Sequence, residues 1–526
     1  MEEIDLKENN KKGLFESIDW IVFLPAFLII TSCVVLGFYK KDLFLKALLT
    51  IHSWASENFG WPYVLVIVGS LVILIVLIFH PVGKIKLGGE DAKPELSTFA
   101  WFCITLTSTI GVALIFWGSV EPVLHFTSPP AWALVKAGSE QAAVFALSTG
   151  YIHWSFNQYA LYTIAGVAIA LAHFNHKQPL SVASGMFFAI GKNKVLGKLA
   201  DALCLLVIVG AVASSLGIGI KQIVKGCTFI IDGLSTDSLS LFVAALIIIT
   251  YCLASVSGVK KGISAISRLN VWIFFGLLIF VYLVGPTQFI NKLGIQSIGN
   301  FLSTGLERTM TLSPFSSNDS WINNWTINFF VSSAAYAPLL GLFLAKIARG
   351  RTIRSFVAMN LGVCSIFNII WFNVFGGAAI YEQIHSVDIA KIMDTQGLES
   401  AAFAFFETLP CGKIVILVFI VAIFFSFVTM AQSLVTSMAA ISMKGGLCQN
   451  IDTEDKRLIL LWGIIVGALA YILLDLVGVE VIKYTYLVFG FPIFILLFLM
   501  MYSVLKGLFF PDFELLKSIY SFFKQN

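Results

Sequence analysis

Charged side chains are scarce in this sequence. Asp, Glu, Lys and Arg make up 12% of its 526 residues, about half the share of a soluble domain. A surface facing water needs more charge, so a soluble globular protein is excluded. Alternating strands of about ten residues, the mark of a membrane β-barrel, are also missing. The eight cysteines, at 33, 103, 204, 227, 252, 364, 411 and 448, form no C-x-x-C pair. Most lie inside apolar runs, as small buried hydrophobes do rather than disulfides or metal ligands. No H-E-x-x-H, G-x-S-x-G or Walker A pattern occurs, and no Cys/His metal set is visible. The sequence therefore predicts no enzyme and no ATP-driven pump, and no cofactor or nucleic-acid partner is expected.

Long apolar runs are abundant. The chain is 58% hydrophobic with a mean hydropathy of +0.89, and runs of about twenty residues recur, as a hydrocarbon core ~30 Å thick demands. The expected fold is an all-α polytopic membrane protein embedded in the lipid bilayer. Twelve spans are predicted. The first seven lie near 19–38, 62–81, 97–118, 142–173, 199–222, 238–257 and 268–286. The other five lie near 321–347, 354–382, 412–442, 458–478 and 482–507. Residues 287–320 are too polar to span and are patterned as an interfacial helix and loop. Stretches near 42–57 and 398–408 read as short surface helices. The polar N-terminus, 1–18, has no signal-peptide pattern, and a short tail, 508–526, follows the last span.

Lys and Arg set the orientation. With the N-terminus cytoplasmic, the loops after even-numbered spans are basic: Lys84, Lys86, Lys93; Lys177, Lys192, Lys194, Lys198; Lys260, Lys261, Arg268; Arg349, Arg351, Arg354; Lys444, Lys456, Arg457. Lys40, Lys41 and Lys46 are the exception on the other side. Both termini are expected inside.

Several residues are candidates for chemistry. Glu121, Pro122 and His125 cluster at the end of the third span. Pro122 removes a backbone donor and frees carbonyls, which suggests a discontinuous helix beside a solute site. The alternative is a helix that simply ends at the interface, where Glu and His are cheap. Trp154, Tyr159 and Tyr162 share an arc of about 140° on the fourth span. They could hold a cation against their ring faces or form an aromatic belt at the membrane surface. Ser332 and Ser333 in the eighth span, followed by Ala334 and Ala335, either let helices approach closely or line a polar cavity. Asp475 and Lys221 sit near span ends, where an acid or a snorkelling lysine is tolerated. By elimination, secondary transport leads, ahead of a channel or an intramembrane enzyme.

Three stretches together resemble the betaine/choline/carnitine transporter family over essentially the whole chain. F-W-G-S-V-E-P-V-L-H at 116–125 looks like that family's G-x-x-E-P-x-x-H element. L-A-K-I-A-R-G-R-T-I-R at 344–354, with Arg349, Arg351 and Arg354, looks like its cytoplasmic signature, and W-F-N-V-F-G-G-A at 371–378 resembles its W-F-x-x-F-G-G. The resemblance implies a LeuT-type fold of two inverted five-helix repeats, spans 3–7 and 8–12, after two preceding helices. It also implies alternating access, a bacterial inner membrane and a homotrimer.

The family's H-W-x-x-x-x-W-A-x-Y is matched by His153, Trp154, Tyr159, Ala160 and Tyr162, positions that form a cage around a trimethylammonium group in the family. The family's tryptophan run in the eighth span, anchored here on Trp325 and Pro338, becomes Phe330, Ser332, Ser333 and Tyr336, with Phe329 adjoining. The cage wall that the family draws from the position of Ser333 is therefore absent. One ring lost over a desolvated cation costs ~1–2 kcal/mol, about tenfold in affinity, and a serine hydroxyl favours a substrate with a hydrogen-bonding group. Sodium-coupled members carry Thr where Ile208 and Val212 stand, and an adjacent Thr and Ser where this chain has Thr429 and Met430. The family's glycine-rich turn falls at 109–113. At most a weak sodium site at Thr429 is expected, so proton coupling or exchange is favoured. No long basic C-terminal run signals osmosensing. The expected function is import or exchange of a small zwitterionic or quaternary-ammonium solute. An amino-acid-like or sulfonate solute, or a channel or sensor, is the alternative.

Overall fold

In hydrocarbon every backbone N–H and C=O must be paired within its own segment, which leaves helices as the way to cross. The computed structural model describes residues 14–109, 111–191, 193–231, 233–258, 262–312, 320–444, 455–472 and 479–509. Among them there is no β-strand, only two isolated bridges, Ile18 to Met443 and Lys86 to Thr352. Eight helices are long and apolar enough to cross a membrane, or nine if a bent pair near the C-terminus counts as one span. Lys192, Lys260, Lys261 and Asp475 lie outside the described residues.

The first helices are α1 (Trp20–Tyr39) and α2 (Lys41–Phe79). The stretch expected as a separate surface helix, 42–57, is continuous with the second span. Pro62 is accommodated inside α2. The third span is described as α3 (Thr98–Thr109) and α4 (Gly111–Thr127), on either side of Ile110, which lies outside the described residues. Pro122 does not interrupt α4, contrary to its reading as the break. The carbonyl it leaves without an N–H partner, that of Gly118, is backed by Gly376 of a later helix, where a Cβ would come within 3.1 Å of that oxygen and 2.7 Å of the Pro122 ring.

The fourth span is divided, into α5 (Glu140–Trp154) and α6 (Phe156–Ala170), with Ser155 between them at φ −116° and ψ −118°. Then come α7 (Lys194–Ile230), α8 (Thr236–Ser257) and α9 (Ser264–Val284). Lys221 is exposed on α7, which continues past it to Ile230. The polar stretch after the seventh span forms a helix, α10 (Thr287–Met310). It buries Ile290, Leu293, Gly294 and Ser297 on one face and exposes Ile295, Leu302 and Leu306 on the other.

The eighth span opens with a π turn, Asn323–Ile327, and continues as α11 (Asn328–Lys346). The ninth, α12, runs Ile353–His385. The tenth and eleventh are α13 (Gly412–Ile441) and α14 (Lys456–Ile472), and the last is α15 (Val479–Gly490) followed by α16 (Ile493–Phe509). The bend between the last two is 45°, and the Tyr63 hydroxyl donates to the carbonyls there, Gly490 at 2.9 Å and Phe491 at 2.7 Å. Residues 401–407, expected at the surface, form a helix buried from Ala401 through Phe406. Its alternating Ala and Phe fill a gap against α13 and α4.

The basic segment after α11 stitches two loops together. Backbone bonds join Leu87 N to Arg351 O (2.9 Å), Gly350 N to Leu87 O (2.9 Å) and Ile353 N to Ile85 O (3.0 Å). Arg351 donates to Leu96 O at 2.7 Å and lies over the Trp101 ring at 4.7 Å. Arg354 reaches His80 O at 3.2 Å, and Arg349 faces Glu95 at 3.8 Å. Gly350 sits at φ +77°, where a Cβ would stand 2.3 Å from the Lys93 carbonyl carbon. The cationic run therefore locks the loop geometry as well as carrying charge.

Candidate functional site

The break at Ser155 places Trp154 at the end of one half-helix and Tyr159 and Tyr162 on the next. All three are buried, at 6%, 0% and 2% exposure, so the membrane-surface belt is ruled out. The carbonyl freed at Trp154 accepts from Asn368 Nδ2 at 2.6 Å, which satisfies a backbone group at membrane depth from a neighbouring helix. The structure divides the trio's contacts. Trp154 stacks with Trp117 (6.3 Å) and Phe372 (6.2 Å) and meets Phe329 edge-on at 4.7 Å. Tyr159 and Tyr162 meet each other edge-on at 6.1 Å. The Tyr159 hydroxyl lies 3.1 Å from Thr109 Oγ1 on the third span. Tyr162 accepts from Gln158 Nε2 at 2.7 Å and has Ser333 as a further polar neighbour.

The eighth span closes the opposite side. The tight crossing of α11 with α6 is made at Gly341, where a Cβ would lie 2.6 Å from Ala165 Cβ. Small residues permit such approaches. Ser332 and Ser333 stand about two turns earlier. Ser332 Oγ pairs with the Tyr486 hydroxyl at 3.2 Å, and Ser333 is buried beside Tyr162. Tyr336 donates to Ala211 O at 2.8 Å and pairs with Ser215 Oγ at 2.7 Å, which ties it to α7. Phe330 is buried, whereas Phe329 is half-buried beside Trp154 and stacks on His153 at 5.0 Å.

Glu121 and His125 are buried within the protein. Both are 1% exposed, as is His153. Glu121 Oε1 accepts from His153 Nδ1 at 2.6 Å and from His125 Nε2 at 3.3 Å, and Oε2 accepts from Trp154 Nε1 at 2.5 Å. The second nitrogen of His153 pairs with Thr326 Oγ1 at 3.2 Å. The donor atoms of Glu121, His125 and His153 all lie within 4.8 Å of one another, as metal ligands would, a set that the sequence did not reveal. Two ligands on one tetrahedral zinc stand ~3.3 Å apart given bonds of ~2.0–2.1 Å. The 2.6 Å contact is a hydrogen bond, so the cluster is read as a hydrogen-bonded carboxylate. Sequence reasoning placed Glu121 and His125 four residues apart but could not join them to His153.

Arg308 was also missed. It reaches from α10 to Ser148 Oγ at 2.6 Å, to Thr149 Oγ1 and to the Phe145 ring at 4.3 Å. Burial pulls its guanidinium down to about 10. α10 is thereby fastened to the half-helix that carries Trp154.

For sodium, Thr429 Oγ1 lies 3.4 Å from Thr107 O, 3.0 Å from Phe425 O and 3.0 Å from Ser426 O. Met430 follows it, and Ile208 and Val212 are fully buried hydrocarbon. The Thr429 hydroxyl is thus engaged with carbonyls of its own helix and of the third span, and Ile208 and Val212 offer no side-chain oxygen.

Comparison with known proteins matches residues 21–510 to the betaine/carnitine/choline family transporter model. The chain is 31% identical to an ectoine/hydroxyectoine transporter of Virgibacillus pantothenticus, over 93% of this chain and 96% of that one. It is 30% identical to a probable glycine betaine transporter of Desulfitobacterium hafniense, over 91% and 97% of the two chains. It is also 30% identical to an osmo-independent choline transporter of Acinetobacter baylyi, over 87% of each. Among solved structures, one of a Na+-coupled sialic acid symporter aligns with a TM-score of 0.46 at 15% identity, covering 86% of this chain and 88% of that one. The chain is a multi-pass membrane protein and belongs to the betaine/carnitine/choline transporter family.

Proposed function

We propose that this chain is a secondary transporter that imports or exchanges a small zwitterionic or quaternary-ammonium solute by alternating access. The observation that carries the reading is the divided fourth span: a buried Trp154 at the break, with buried Tyr159 and Tyr162 just beyond it. Ring faces at such a break attract an organic cation at roughly 0.5–2 kcal/mol per ring, and interrupted helices beside a central site are how secondary transporters bind solutes. Twelve spans, with spans 3–7 and 8–12 as inverted repeats, cytoplasmic termini and a bacterial inner membrane complete the reading. The relatives are named for ectoine, glycine betaine and choline, solutes that each bear a cationic nitrogen group, which supports the class.

A second reading is favoured by Ser332 and Ser333. Their hydroxyls stand where a ring wall would otherwise face the cation, so a cation bearing N–H groups, such as the amidinium of an ectoine-type zwitterion, gains a hydrogen-bond partner. On coupling, the apolar Ile208 and Val212 and the engaged Thr429 hydroxyl support transport without strict sodium dependence.

The test is thermal stabilisation of purified protein by glycine betaine, choline, carnitine and ectoine, in sodium and in potassium buffers. Stabilisation by at least one of them, equal in both salts, is expected. No stabilisation by any would overturn the substrate class, and a sodium-dependent gain would overturn the coupling.

A further inference from the structure

The wall of the proposed cation site is held by a charge. Glu121 accepts three hydrogen bonds, from the Trp154 indole, from His153 and from His125. Neutral rings suffice for this network: His153 donates through Nδ1 and accepts from Thr326 through Nε2, and His125 donates through Nε2. The cluster then carries one negative charge. Among the described residues, the groups within ion-pair distance of Glu121 are these two imidazoles, which as neutral rings bring no positive charge. A buried charge without a full counter-charge is costly, and a solute cation on the Trp154 face would supply one.

We propose that Glu121 is a positioning residue that sets the site's preference for cationic solutes, acting through the Trp154 indole. Two effects combine. The N–H bond fixes the plane of a ring that Trp117, Phe329 and Phe372 already flank, so little side-chain freedom is lost when solute binds. The carboxylate also polarises the indole through that bond, as charged acceptors do within hydrogen-bonded chains, which deepens the negative potential of the ring face that attracts a cation. A solute without a cationic group gains nothing from either the charge or the polarised ring. The inference rests on the reading of Trp154 as part of the cation site.

A double-mutant cycle on the full-length purified protein tests it, with dissociation constants measured calorimetrically for glycine betaine and for ectoine. Glu121→Gln keeps the shape and an acceptor but removes the charge, and is expected to weaken the tighter-binding probe about tenfold, ~1.4 kcal/mol. In the Trp154→Phe background the same substitution should cost less than twofold, because the indole N–H is gone. In proteoliposomes, Glu121→Gln should raise KM with Vmax held. Equal losses in both backgrounds, or an unchanged dissociation constant, overturn the role of Glu121. If Glu121→Gln fails to fold, Trp154→Phe alone decides: it keeps a ring and loses the N–H, and an unchanged affinity overturns the proposal. Trp154→Ala separates the two layers of argument. Binding that survives it removes the cation site itself, whereas binding that it abolishes while Glu121→Gln leaves it intact removes only the present inference. If neither probe binds the wild-type protein, both fall together.

Discussion

Ser333→Trp rebuilds the wall that this chain lacks, and its consequences can be worked out from the packing. Ser333 is 2% exposed, with Ala334 and Ala335 following it at 0% and 1% and Tyr162 beside it at 2%. An indole there adds a ring face worth roughly 0.5–2 kcal/mol to a trimethylammonium group, about two- to thirtyfold in affinity. It also overfills a buried site, at a cost of typically ~1–3 kcal/mol. Absolute affinity therefore mixes a gain with a penalty, and the thermal midpoint of the variant should fall. The ratio of two dissociation constants removes the shared penalty. Calorimetric titration of the variant with glycine betaine and with ectoine should shift that ratio about tenfold toward glycine betaine, since the new ring serves methylated nitrogen and the lost hydroxyl served N–H groups. A folded variant whose ratio is unchanged, or shifts toward ectoine, would refute the placement of Ser333 at the cation's open side.

Three further substitutions probe the scaffold. Arg351→Ala removes the bonds to Leu96 O and Thr98 and the contact with Trp101, and should cost about 1–3 kcal/mol; Arg351→Lys should restore only part, because an ammonium cannot fork. Thermal unfolding in detergent checks both. Gly350→Ala forces a side chain into a left-handed backbone and against Lys93, at about 1–2 kcal/mol from backbone strain alone; an unchanged midpoint would contradict the loop geometry. Tyr63→Phe leaves the carbonyls of Gly490 and Phe491 without their donor, and a loss of about 1–3 kcal/mol is expected, read as a lowered midpoint.

The spans were legible because an apolar run bounded by Lys and Arg has one stable home. Breaks were harder to read. Pro122 looked like the interruption, yet α4 runs through it, with Gly376 packed closely against the proline ring and the Gly118 carbonyl. Ser155 looked unremarkable because serine is tolerated in helices, and the partner that makes its break affordable, Asn368, binds the Trp154 carbonyl across 214 positions of sequence. The Ala/Phe stretch at 401–407 suits a surface or a core equally, and only its neighbours decide. Within the site, the aromatic arc of Trp154, Tyr159 and Tyr162 was visible from spacing and resemblance. The contact between Glu121 and His153 was not, since nothing local ties residues on two different spans to one carboxylate.

The central claim is that a solute's cationic group binds at Trp154. Calorimetric titration of Trp154→Ala with the tightest-binding member of the betaine, choline, carnitine and ectoine panel tests it most directly, provided circular dichroism and size-exclusion profiles match the wild type. The account predicts that binding is lost in the variant. A wild-type dissociation constant in a folded Trp154→Ala protein would place the solute elsewhere and contradict it.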